Sequence, residues 1–530
     1  MERTPDSSTT DSTGSPASET APTTPSEGRD EAGVDRLYDA SADTADQRRA
    51  LVGGDVPVAV YGLGKMGLPV ASVLASVTGN VVGADVDPDV VESVNAGESH
   101  VRGEPGLDGL VADRVDDGSL RAVSDPEVAA DEASIHVVIV PTLLTEENEG
   151  DLSIVDAVVD AIATGIDPGD AVFVESTVPP GTCADRIAPR LAERSGLDRA
   201  AFGVAFCPER TASGRALRDI TESYPKIVGG VDAESTRVAD LVYGEVTDND
   251  VIPVRDATTA EATKVFGGVY RDVNIALANE FARYADSMGI DVREAIAASN
   301  TQPYSHVLSP GPGVGGHCIP VYPHFLLSEF AVESPLVRIS RLVNDGMPTH
   351  AVDRLRSILR TEADVSTVNG PAADASAAGE GTTDRDPAGT GSSESSASGL
   401  DGVRVLVLGV TYRPGVNELR NSPSYELIEE LSRGGATVDV CDPLVGDLTG
   451  FAATPVSMAE AAGSAYDAVV AVTPHEEFSA FDWDALEPTV VLDCHDAVDL
   501  DGTDHREYTL GRAIALDGEG PPAGSPDMDR

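Results

Sequence analysis

The stretch Val58-Ala59-Val60-Tyr61-Gly62-Leu63-Gly64-Lys65-Met66-Gly67 decides the fold of this 530-residue chain. An apolar run leads into the pattern G-x-G-x-x-G, and the apolar residues from 68 to 77 that follow have helical spacing. Strand, glycine loop and helix in this order are typical of a dinucleotide-binding unit, where glycine permits a tight turn and close approach of a pyrophosphate. We therefore predict an α/β domain with a parallel sheet that binds a dinucleotide.

A second strand pattern supports this prediction and indicates which dinucleotide is bound. The run Val81-Val82-Gly83-Ala84 ends in Asp85. An acid at this place accepts a hydrogen bond from a ribose 2′-hydroxyl and would repel a 2′-phosphate, so NAD is favoured over NADP. From the residues alone we expect the cofactor to contact this part of the chain at Gly62, Leu63, Gly64, Met66, Gly67 and Asp85.

Cys318 is the strongest candidate for a reactive group. It lies in Gly311-Pro312-Gly313-Val314-Gly315-Gly316-His317-Cys318-Ile319-Pro320, where four glycines precede it. Glycine lets another molecule approach the backbone closely, and a thiol in such a loop becomes a nucleophile when a base or positive charge activates it. A turn with a buried structural cysteine would read the same way. The dinucleotide motif upstream favours the nucleophile.

Lysine is scarce, which makes each copy informative. The chain has 36 basic residues, and the lysines are Lys65, Lys226 and Lys264. Lys264 lies early in a helical pattern and is suited to stabilise an oxyanion or to exchange a proton, which arginine cannot do. An ordinary exposed lysine is the alternative. Lys65 belongs to the glycine loop, and Lys226 receives no predicted role.

Two further loops follow strand patterns, where open α/β sheets place their sites. They are Ser176-Thr177-Val178-Pro179-Pro180-Gly181-Thr182 and Cys207-Pro208-Glu209-Arg210. Glu209 could position a water molecule or act as a general base. A capped turn with a solvated acid is the alternative for each loop.

Composition changes along the chain predict two Rossmann-like parallel-sheet domains joined by a central helical segment. The predicted divisions are a disordered acidic tail (1–55), an N-terminal NAD-binding domain (56–256), a central helical and dimerisation segment (257–362), a flexible linker (363–400), a C-terminal UDP-binding domain (401–515) and a frayed tail (516–530). Strands are predicted at 56–61, 81–85, 135–140, 171–175, 203–206, 226–228, 403–409, 437–441, 468–472 and 490–493. Long helices are predicted over 257–300 and 336–359.

The charge of the chain excludes several partners. Ninety acidic residues against 36 basic ones give a formal net charge of −54. Such a surface disfavours nucleic acid and is typical of a protein adapted to high salt, where counter-ions screen self-repulsion. The sequence has neither an 18-residue apolar run nor an apolar signal segment, so we predict no membrane association. Five scattered cysteines form no metal or disulfide pattern, and this favours a reducing cytoplasm.

Taken together, the motifs resemble those of the nucleotide-sugar 6-dehydrogenases. The resemblance covers roughly 56–360 and 401–512 and is carried by GLGKMG (62–67), STVPPGT (176–182), CPER (207–210), YRDVNIALANE (270–280), GPGVGGHCIP (311–320) and TYRPGVNELRNSP (411–423). The helix and cysteine motifs are most similar to the branch that oxidises UDP-N-acetyl-D-mannosamine. The UDP-glucose branch typically has a Lys-Asp pair after the cysteine, where this chain has Val321-Tyr322.

The resemblance implies a double oxidation of the sugar C6 hydroxyl to a carboxylate, with NAD as acceptor and a Cys318 thiohemiacetal and thioester as intermediates. It implies that Lys264 steadies the C6 oxygen, that Glu209 manages water or protons, and that Thr177 orders the site and contacts the cofactor. It also implies a homodimer or larger homo-oligomer. The residues implied to bind substrate are Glu209, Arg210, Lys264, Gly313, Gly315, Gly316 and Arg413, and Arg420 is implied to reach the cofactor or nucleotide phosphates. No metal is implied.

Two departures from the family pattern stand at the predicted site. The family usually has asparagine four residues after the lysine and aspartate four residues after the cysteine, where this chain has Gly268 and Tyr322. They leave three alternatives to the main hypothesis: a UDP-glucose 6-dehydrogenase, a nucleotide-sugar-binding protein that has lost turnover, and a two-electron hydroxyacid dehydrogenase. The last would need neither Cys318 nor a second nucleotide domain.

Overall fold

The computed structural model describes residues 34–368 and 399–512, with the side chains of 363–368 left out. Residues 1–33, 369–398 and 513–530, which hold most of the predicted tails and linker, lie outside the described residues. Within the described ranges, no helix is long and apolar enough to cross a membrane.

The N-terminal domain alternates strands and helices around one eight-stranded sheet. Its strands are β1 (Val58–Tyr61), β2 (Val81–Ala84), β3 (Leu120–Val123), β4 (Ile135–Val138), β7 (Ala171–Val174), β8 (Gly203–Phe206), β9 (Lys226–Gly230) and β10 (Val251–Pro253), and a two-stranded ribbon adds β5 (Leu143–Leu144) and β6 (Gly150–Asp151). Its helices are α1 (Thr44–Val52), α2 (Gly67–Thr78), α3 (Pro88–Asn95), α4 (Leu107–Asp116), α5 (Pro126–Glu132), α6 (Ser153–Gly165), α7 (Ala188–Ser195), α8 (Ala216–Arg218) and α9 (Ala233–Val246).

The strand order is β10-β9-β8-β7-β4-β1-β2-β3. Six strands, from β3 to β8, run parallel, and β8 pairs with β9 in the antiparallel sense. The parallel strands are buried along their whole length except β3, as expected where helices cover both faces. The loops after β1, β7 and β8 thus leave the same edge of the sheet, which brings three of the sequence motifs together.

The segment before the sheet is ordered, which corrects part of the predicted disordered tail. Residues 44–52 form α1, capped by the Asp43 carboxylate, and Leu37 and Leu51 are buried in the same core as β1. Arg36 pairs with the buried Asp170 at 2.9 Å. Few large apolar residues stand in this segment, but those few reach the sheet, and burial of a leucine side chain contributes roughly 1.5–3 kcal/mol.

The central segment consists of helices in place of a sheet. They are α10 (Ala257–Met288), α11 (Val292–Ser299), α12 (Tyr322–Leu327), α13 (Pro335–Asp345) and α14 (Met347–Val368). The helix predicted over 257–300 is two helices, because Gly289 takes a left-handed conformation (φ 75°) that ends α10. The helix predicted over 336–359 is likewise two, α13 and α14.

The C-terminal domain is a six-stranded parallel sheet in the order β13-β12-β11-β14-β15-β16. Its elements are β11 (Arg404–Leu408), α15 (Ser424–Arg433), β12 (Thr437–Cys441), β13 (Thr454–Pro455), α16 (Met458–Ala462), β14 (Ala468–Ala471), β15 (Val490–Asp493) and β16 (Arg506–Thr509). Leu355 and Ile358 of α14 are buried in this domain's core together with Leu427 and Leu431 of α15. The core therefore divides the chain between α13 and α14, earlier than the predicted division at residue 362.

Candidate active site

The glycine loop after β1 has the shape that a bound pyrophosphate needs. Gly62 has φ 93°, and a Cβ atom there would lie 2.7 Å from the Ile139 carbonyl oxygen. At Gly67 a Cβ atom would lie 1.8 Å from the Gly62 carbonyl oxygen, so only glycine allows the helix to start here. Gly64 has no atom within 4 Å of a Cβ position, which leaves its backbone open at the N-terminus of α2. A helix N-terminus with open backbone binds anions, so the residues fit NAD.

Asp85 stands at the end of β2 and closes the loop. Its Oδ2 accepts a hydrogen bond from the Leu63 amide (2.8 Å) and its Oδ1 one from the Asp87 amide (3.0 Å). Each oxygen keeps lone-pair capacity for a ribose hydroxyl. The Leu63 side chain, by contrast, is buried against Gly83. The predicted contact of Leu63 with the cofactor is therefore restricted to its backbone.

The C-terminal domain repeats this arrangement but fills it. Gly409 after β11 has φ 79°, and the Val410 amide donates to Asp442 Oδ2 at 2.8 Å. Here, however, His475 Nε2 lies 3.1 Å from the same carboxylate oxygen and both side chains are buried. The carboxylate that would meet a ribose in the first domain is thus closed off in the second.

The cysteine loop packs tightly against the C-terminal domain. A Cβ atom at Gly313 would lie 2.7 Å from Pro423 Cβ. Cβ atoms at Gly315 and Gly316 would lie 2.6 and 2.9 Å from side-chain atoms of Tyr412. In the structure these three glycines, predicted to shape the sugar site, are therefore restricted first by residues 411–423.

Hydrogen bonds fix the same contact. The Gly316 amide donates to the Arg420 carbonyl oxygen (3.0 Å), and Asn421 Nδ2 donates to the Gly316 carbonyl oxygen (3.0 Å). Glu418 adds an ionic contact, because its carboxylate pairs with His317 Nε2 and lies 3.9 Å from Lys65 Nζ of the glycine loop. The turn 417–421 thus links the cysteine loop to the predicted cofactor loop.

Cys318 is the one exposed cysteine of the five, all of which lie within the described ranges. The other four are buried, and burial raises the pKa of each of these thiols: Cys183, Cys207, Cys441 and Cys494. Because the thiolate is the nucleophile, burial disfavours the reactive form at those four positions. Only the predicted nucleophile meets solvent.

Lys264 and Glu209 meet beside this thiol. Lys264 Nζ lies 3.5 Å from Glu209 Oε2 and also donates to the Glu209 carbonyl oxygen. Both side chains are mostly buried, 13% and 16% exposed. Glu209 Oε1 in turn accepts from the Thr211 hydroxyl at 2.5 Å. An ammonium group and a carboxylate held together in a partly dry site can stabilise a developing oxyanion and manage a proton.

Tyr322 connects these groups. Its hydroxyl oxygen lies 3.2 Å from Thr177 Oγ1. Burial, together with the adjacent Cys318 thiol, raises the pKa of Tyr322 well above its ordinary value, and the Glu209 carboxylate acts in the same direction. The structure thus brings Cys318, Thr177 and the Glu209–Lys264 pair around one phenol.

The Thr177 loop is anchored by a residue that sequence reasoning missed. Glu261, in the first turn of α10 and fully buried, accepts hydrogen bonds from the amides of Gly181 (2.5 Å) and Cys183 (2.8 Å). Burial raises the pKa of Glu261 to about 7. Its position three residues before Lys264 is a signal only in retrospect, since adjacent turns of one helix can hold both the loop and the amine.

Lys226, for which the sequence indicated no role, lies behind the same loop. Its Nζ is 3.0 Å from Glu175 Oε1 and 4.2 Å from the centre of the Tyr243 ring, and the Tyr243 hydroxyl bonds to Glu175. Glu175 ends β7 directly before Ser176. A buried ion pair with a satisfied hydrogen bond therefore fixes the strand end from which the Thr177 loop leaves.

The remaining predicted arginines take different positions. Arg413 Nη2 lies 3.4 Å from the Ser213 carbonyl oxygen and so links the C-terminal domain to the loop after Glu209. Arg210 donates to the Pro225 carbonyl oxygen, and the Arg420 side chain is exposed. Among the cofactor residues, Met66 Sδ accepts from the Thr211 hydroxyl at 3.0 Å, which joins the glycine loop to the Glu209 loop.

A dinucleotide loop, an exposed thiol, a lysine–glutamate pair and a second nucleotide-type domain define an NAD-dependent oxidoreductase that acts on a nucleotide-linked substrate. Family models agree with this class in three consecutive matches. They are the NAD binding domain of the UDP-glucose/GDP-mannose dehydrogenase family over residues 56–247, its central domain over 258–346 and its UDP binding domain over 406–500.

Individual proteins give the same answer. The chain is 33% identical to NDP-N-acetyl-D-galactosaminuronic acid dehydrogenase of Ralstonia nicotianae, over 82% of this chain and 95% of the relative. It is 32% identical to UDP-N-acetyl-D-mannosamine dehydrogenase of Methanococcus maripaludis, over 81% and 88%. Among solved structures, UDP-D-ManNAc dehydrogenase of Pyrococcus horikoshii matches with TM-score 0.73 and 30% identity, over 86% of this chain and 99% of that one.

The chain belongs to the UDP-glucose/GDP-mannose dehydrogenase family and is an NAD-dependent nucleotide-sugar dehydrogenase. The sequence predictions of the family, of two α/β domains with a helical centre and of NAD as cofactor are thereby confirmed.

Proposed function

We propose that this enzyme oxidises the C6 hydroxyl of UDP-N-acetyl-D-mannosamine to a carboxylate in two NAD-dependent steps. The observation that carries the proposal is the meeting of the exposed Cys318 with Thr177 and the Lys264–Glu209 pair at the edge of the sheet that also holds the glycine loop. A single hydride transfer would need no such thiol. Oxidation of an alcohol to an acid does need one, because the aldehyde must be held and activated.

In the first oxidation the C6 hydroxyl loses its proton and C6 loses a hydride, which leaves an aldehyde. The role of bound NAD is to accept a hydride in each oxidation. The Lys264 ammonium group stabilises charge on the C6 oxygen as the proton leaves, and Glu209, 3.5 Å from that ammonium, receives or relays the proton. Thr177 holds the loop side of the site.

The second oxidation passes through Cys318. Its sulfur bonds to the aldehyde carbon while the thiol proton moves to the oxygen, which gives a thiohemiacetal. Loss of a second hydride from C6 and of the hydroxyl proton gives a thioester. Water then forms the new C–O bond with Glu209 as general base, the C–S bond breaks, the sulfur regains a proton and the carboxylate leaves. Two hydrides and one water are used per sugar.

The choice of sugar rests on the relatives and on one sequence feature. Both relatives described above are named for 2-acetamido sugars, and this chain lacks the Lys-Asp pair typical of the UDP-glucose branch after its cysteine. UDP-N-acetylgalactosamine is the second candidate, because a 33% identical relative is named for the galacto product. UDP-glucose is the third.

We also propose that the enzyme is a homodimer formed through α10 and α13. Large apolar side chains at helical spacing are exposed on these two helices: Phe266, Tyr270, Leu277, Phe281, Tyr284 and Met288 of α10, and Leu336, Ile339 and Leu342 of α13. A contiguous apolar stripe of this kind marks an interaction surface. Tyr284→Glu should halve the mass found by light scattering, and an unchanged mass would refute this interface.

The working environment proposed is a reducing cytoplasm of high salt. The mechanism needs Cys318 as a thiol, and all five cysteines are free. The net charge of −54 requires screening by counter-ions. Assays therefore belong in multimolar KCl with a reductant.

The test is the amount of NADH formed per UDP-sugar consumed, with UDP-N-acetylmannosamine, UDP-N-acetylgalactosamine and UDP-glucose compared. Two NADH per sugar, abolished in Cys318→Ala, supports the double oxidation, and the highest kcat/KM identifies the sugar. One NADH per sugar, unaffected by Cys318→Ala, would refute the thioester route. NAD and UDP-sugar binding without NADH would favour the binding-protein alternative.

A further inference from the structure

Tyr322 and Gly268 occupy one space between α10 and α12. A Cβ atom at Gly268 would lie 2.1 Å from Tyr322 Cδ2 and 3.0 Å from Cε2 and Cγ. The tyrosine ring therefore rests on the helix backbone at Gly268, and any side chain at position 268 would have to displace it. The two departures from the family pattern are a single structural exchange, in which a side chain is removed from one helix and a larger one is added from the other.

The ring is buried but its hydroxyl reaches the reacting groups. Tyr322 is 7% exposed and packs on Val265, Val269 and Phe325. Its oxygen lies 3.2 Å from Thr177 Oγ1 and next to the Cys318 thiol. An apolar slot that fixes the ring leaves the hydroxyl little freedom, which is the condition for a preorganised donor.

The charges around the phenol keep its proton in place. Burial first, and then the Cys318 thiol and the Glu209 carboxylate, hold the pKa of Tyr322 well above its ordinary value. The group is therefore a neutral O–H donor over the whole range in which the enzyme is folded. Thr177 can donate to the phenol oxygen while the phenol donates onward.

We propose that the Tyr322 hydroxyl is a catalytic hydrogen-bond donor to the C6 oxygen of the intermediates bonded to Cys318, with Gly268 providing the space for its ring. The proposal rests on the proposed function. When C6 is bonded to the Cys318 sulfur, the oxygen on C6 lies one bond beyond that sulfur, so a hydroxyl adjacent to the sulfur is also adjacent to this oxygen. Tyr322 thus shares the charge on that oxygen with Lys264 from the other side.

Tyr322→Phe tests this role, because it keeps the ring on Gly268 and removes only the O–H. We expect kcat to fall by about 100-fold, the usual effect of removing one oxyanion donor, with KM for the sugar changed by less than about threefold. Tyr466→Phe is the matched control. Tyr466 is equally buried and donates to Asp439 at 2.9 Å within the C-terminal domain, so its loss should leave kcat unchanged.

A second readout needs no turnover. A hydroxyl beside the sulfur stabilises the thiolate, so iodoacetamide should alkylate Cys318 more slowly in Tyr322→Phe than in wild type at the same pH, while the four buried cysteines stay unmodified. If wild type forms two NADH per sugar and Tyr322→Phe retains its kcat and alkylation rate, the role of Tyr322 is refuted and the proposed function stands. If wild type forms no NADH from any sugar, the proposed function fails and this role fails with it.

Discussion

Two neighbouring glycines in α10 offer a controlled test of how tightly the site is packed. Gly267 and Gly268 both lie in the middle of a 32-residue helix. A Cβ atom at Gly267 would have no atom within 4 Å, whereas one at Gly268 would lie 2.1 Å from the Tyr322 ring. The same substitution to alanine at each position therefore differs only in what the added methyl group meets.

The magnitude follows from two opposed effects. Alanine in place of glycine inside a helix stabilises it by about 1 kcal/mol, and this gain applies to both variants. Overpacking a core by one methyl group costs about 1–3 kcal/mol, and this cost applies only to Gly268→Ala. We expect Gly267→Ala to be more stable than wild type by about 1 kcal/mol and to lie above Gly268→Ala by about 1–3 kcal/mol.

The assay is thermal unfolding of both variants in the same high-salt buffer, with kcat measured on the same samples. For a domain of 150–250 residues, 1 kcal/mol corresponds to roughly 2–4 °C in the unfolding midpoint. Gly268→Ala should also lose activity, because the ring must move and takes its hydroxyl away from Thr177. Adding Tyr322→Ala should remove the difference in stability between the two glycine variants, as expected for residues in direct contact.

Equal midpoints for Gly267→Ala and Gly268→Ala would refute the reasoning, because the methyl group at 268 would then have found space. A persistent difference in the Tyr322→Ala background would show that the cost arises from some other contact.

Three further outcomes are expected. Asp85→Asn removes the charge that repels a 2′-phosphate, so KM for NAD should rise by about tenfold while activity with NADP appears; an unchanged NAD/NADP preference in steady-state kinetics would contradict the assignment of Asp85. Glu261 has a pKa of about 7 in the folded protein against an ordinary 4.5, so its stabilising contribution is complete below pH 4.5 and is lost as the pH rises through 7; at 1.36 kcal/mol per pKa unit this is about 3 kcal/mol, and Glu261→Gln should flatten the fall of the unfolding midpoint between pH 5 and 8. Lys264→Met should reduce kcat by about 100-fold or more, whereas Lys65→Met should change only KM for NAD, and equal effects of the two substitutions on kcat would argue against Lys264 as the oxyanion group.

The architecture was accessible from sequence because its signals are local. The order strand, glycine turn, helix and acid in residues 58–85 follows from backbone sterics and hydrophobic periodicity, which act over a few residues. Strands 203–206, 437–441 and 490–493 were predicted with the bounds that the structure shows. Where local signals were weak, as in the two apolar anchors Leu37 and Leu51, an ordered segment was taken for a tail.

The sequence by itself determined the family, the cofactor and the short set of candidate reactive residues, because each is encoded in a motif of fewer than about fifteen residues. Only the tertiary structure decided how those motifs meet. Gly268 and Tyr322 stand 54 positions apart and read as two separate losses, yet the packing of α10 on α12 makes them one fitted pair. Likewise Glu261, Lys226 and Glu418 carry no local signature, because each acts on a loop that reaches it only after the chain has folded.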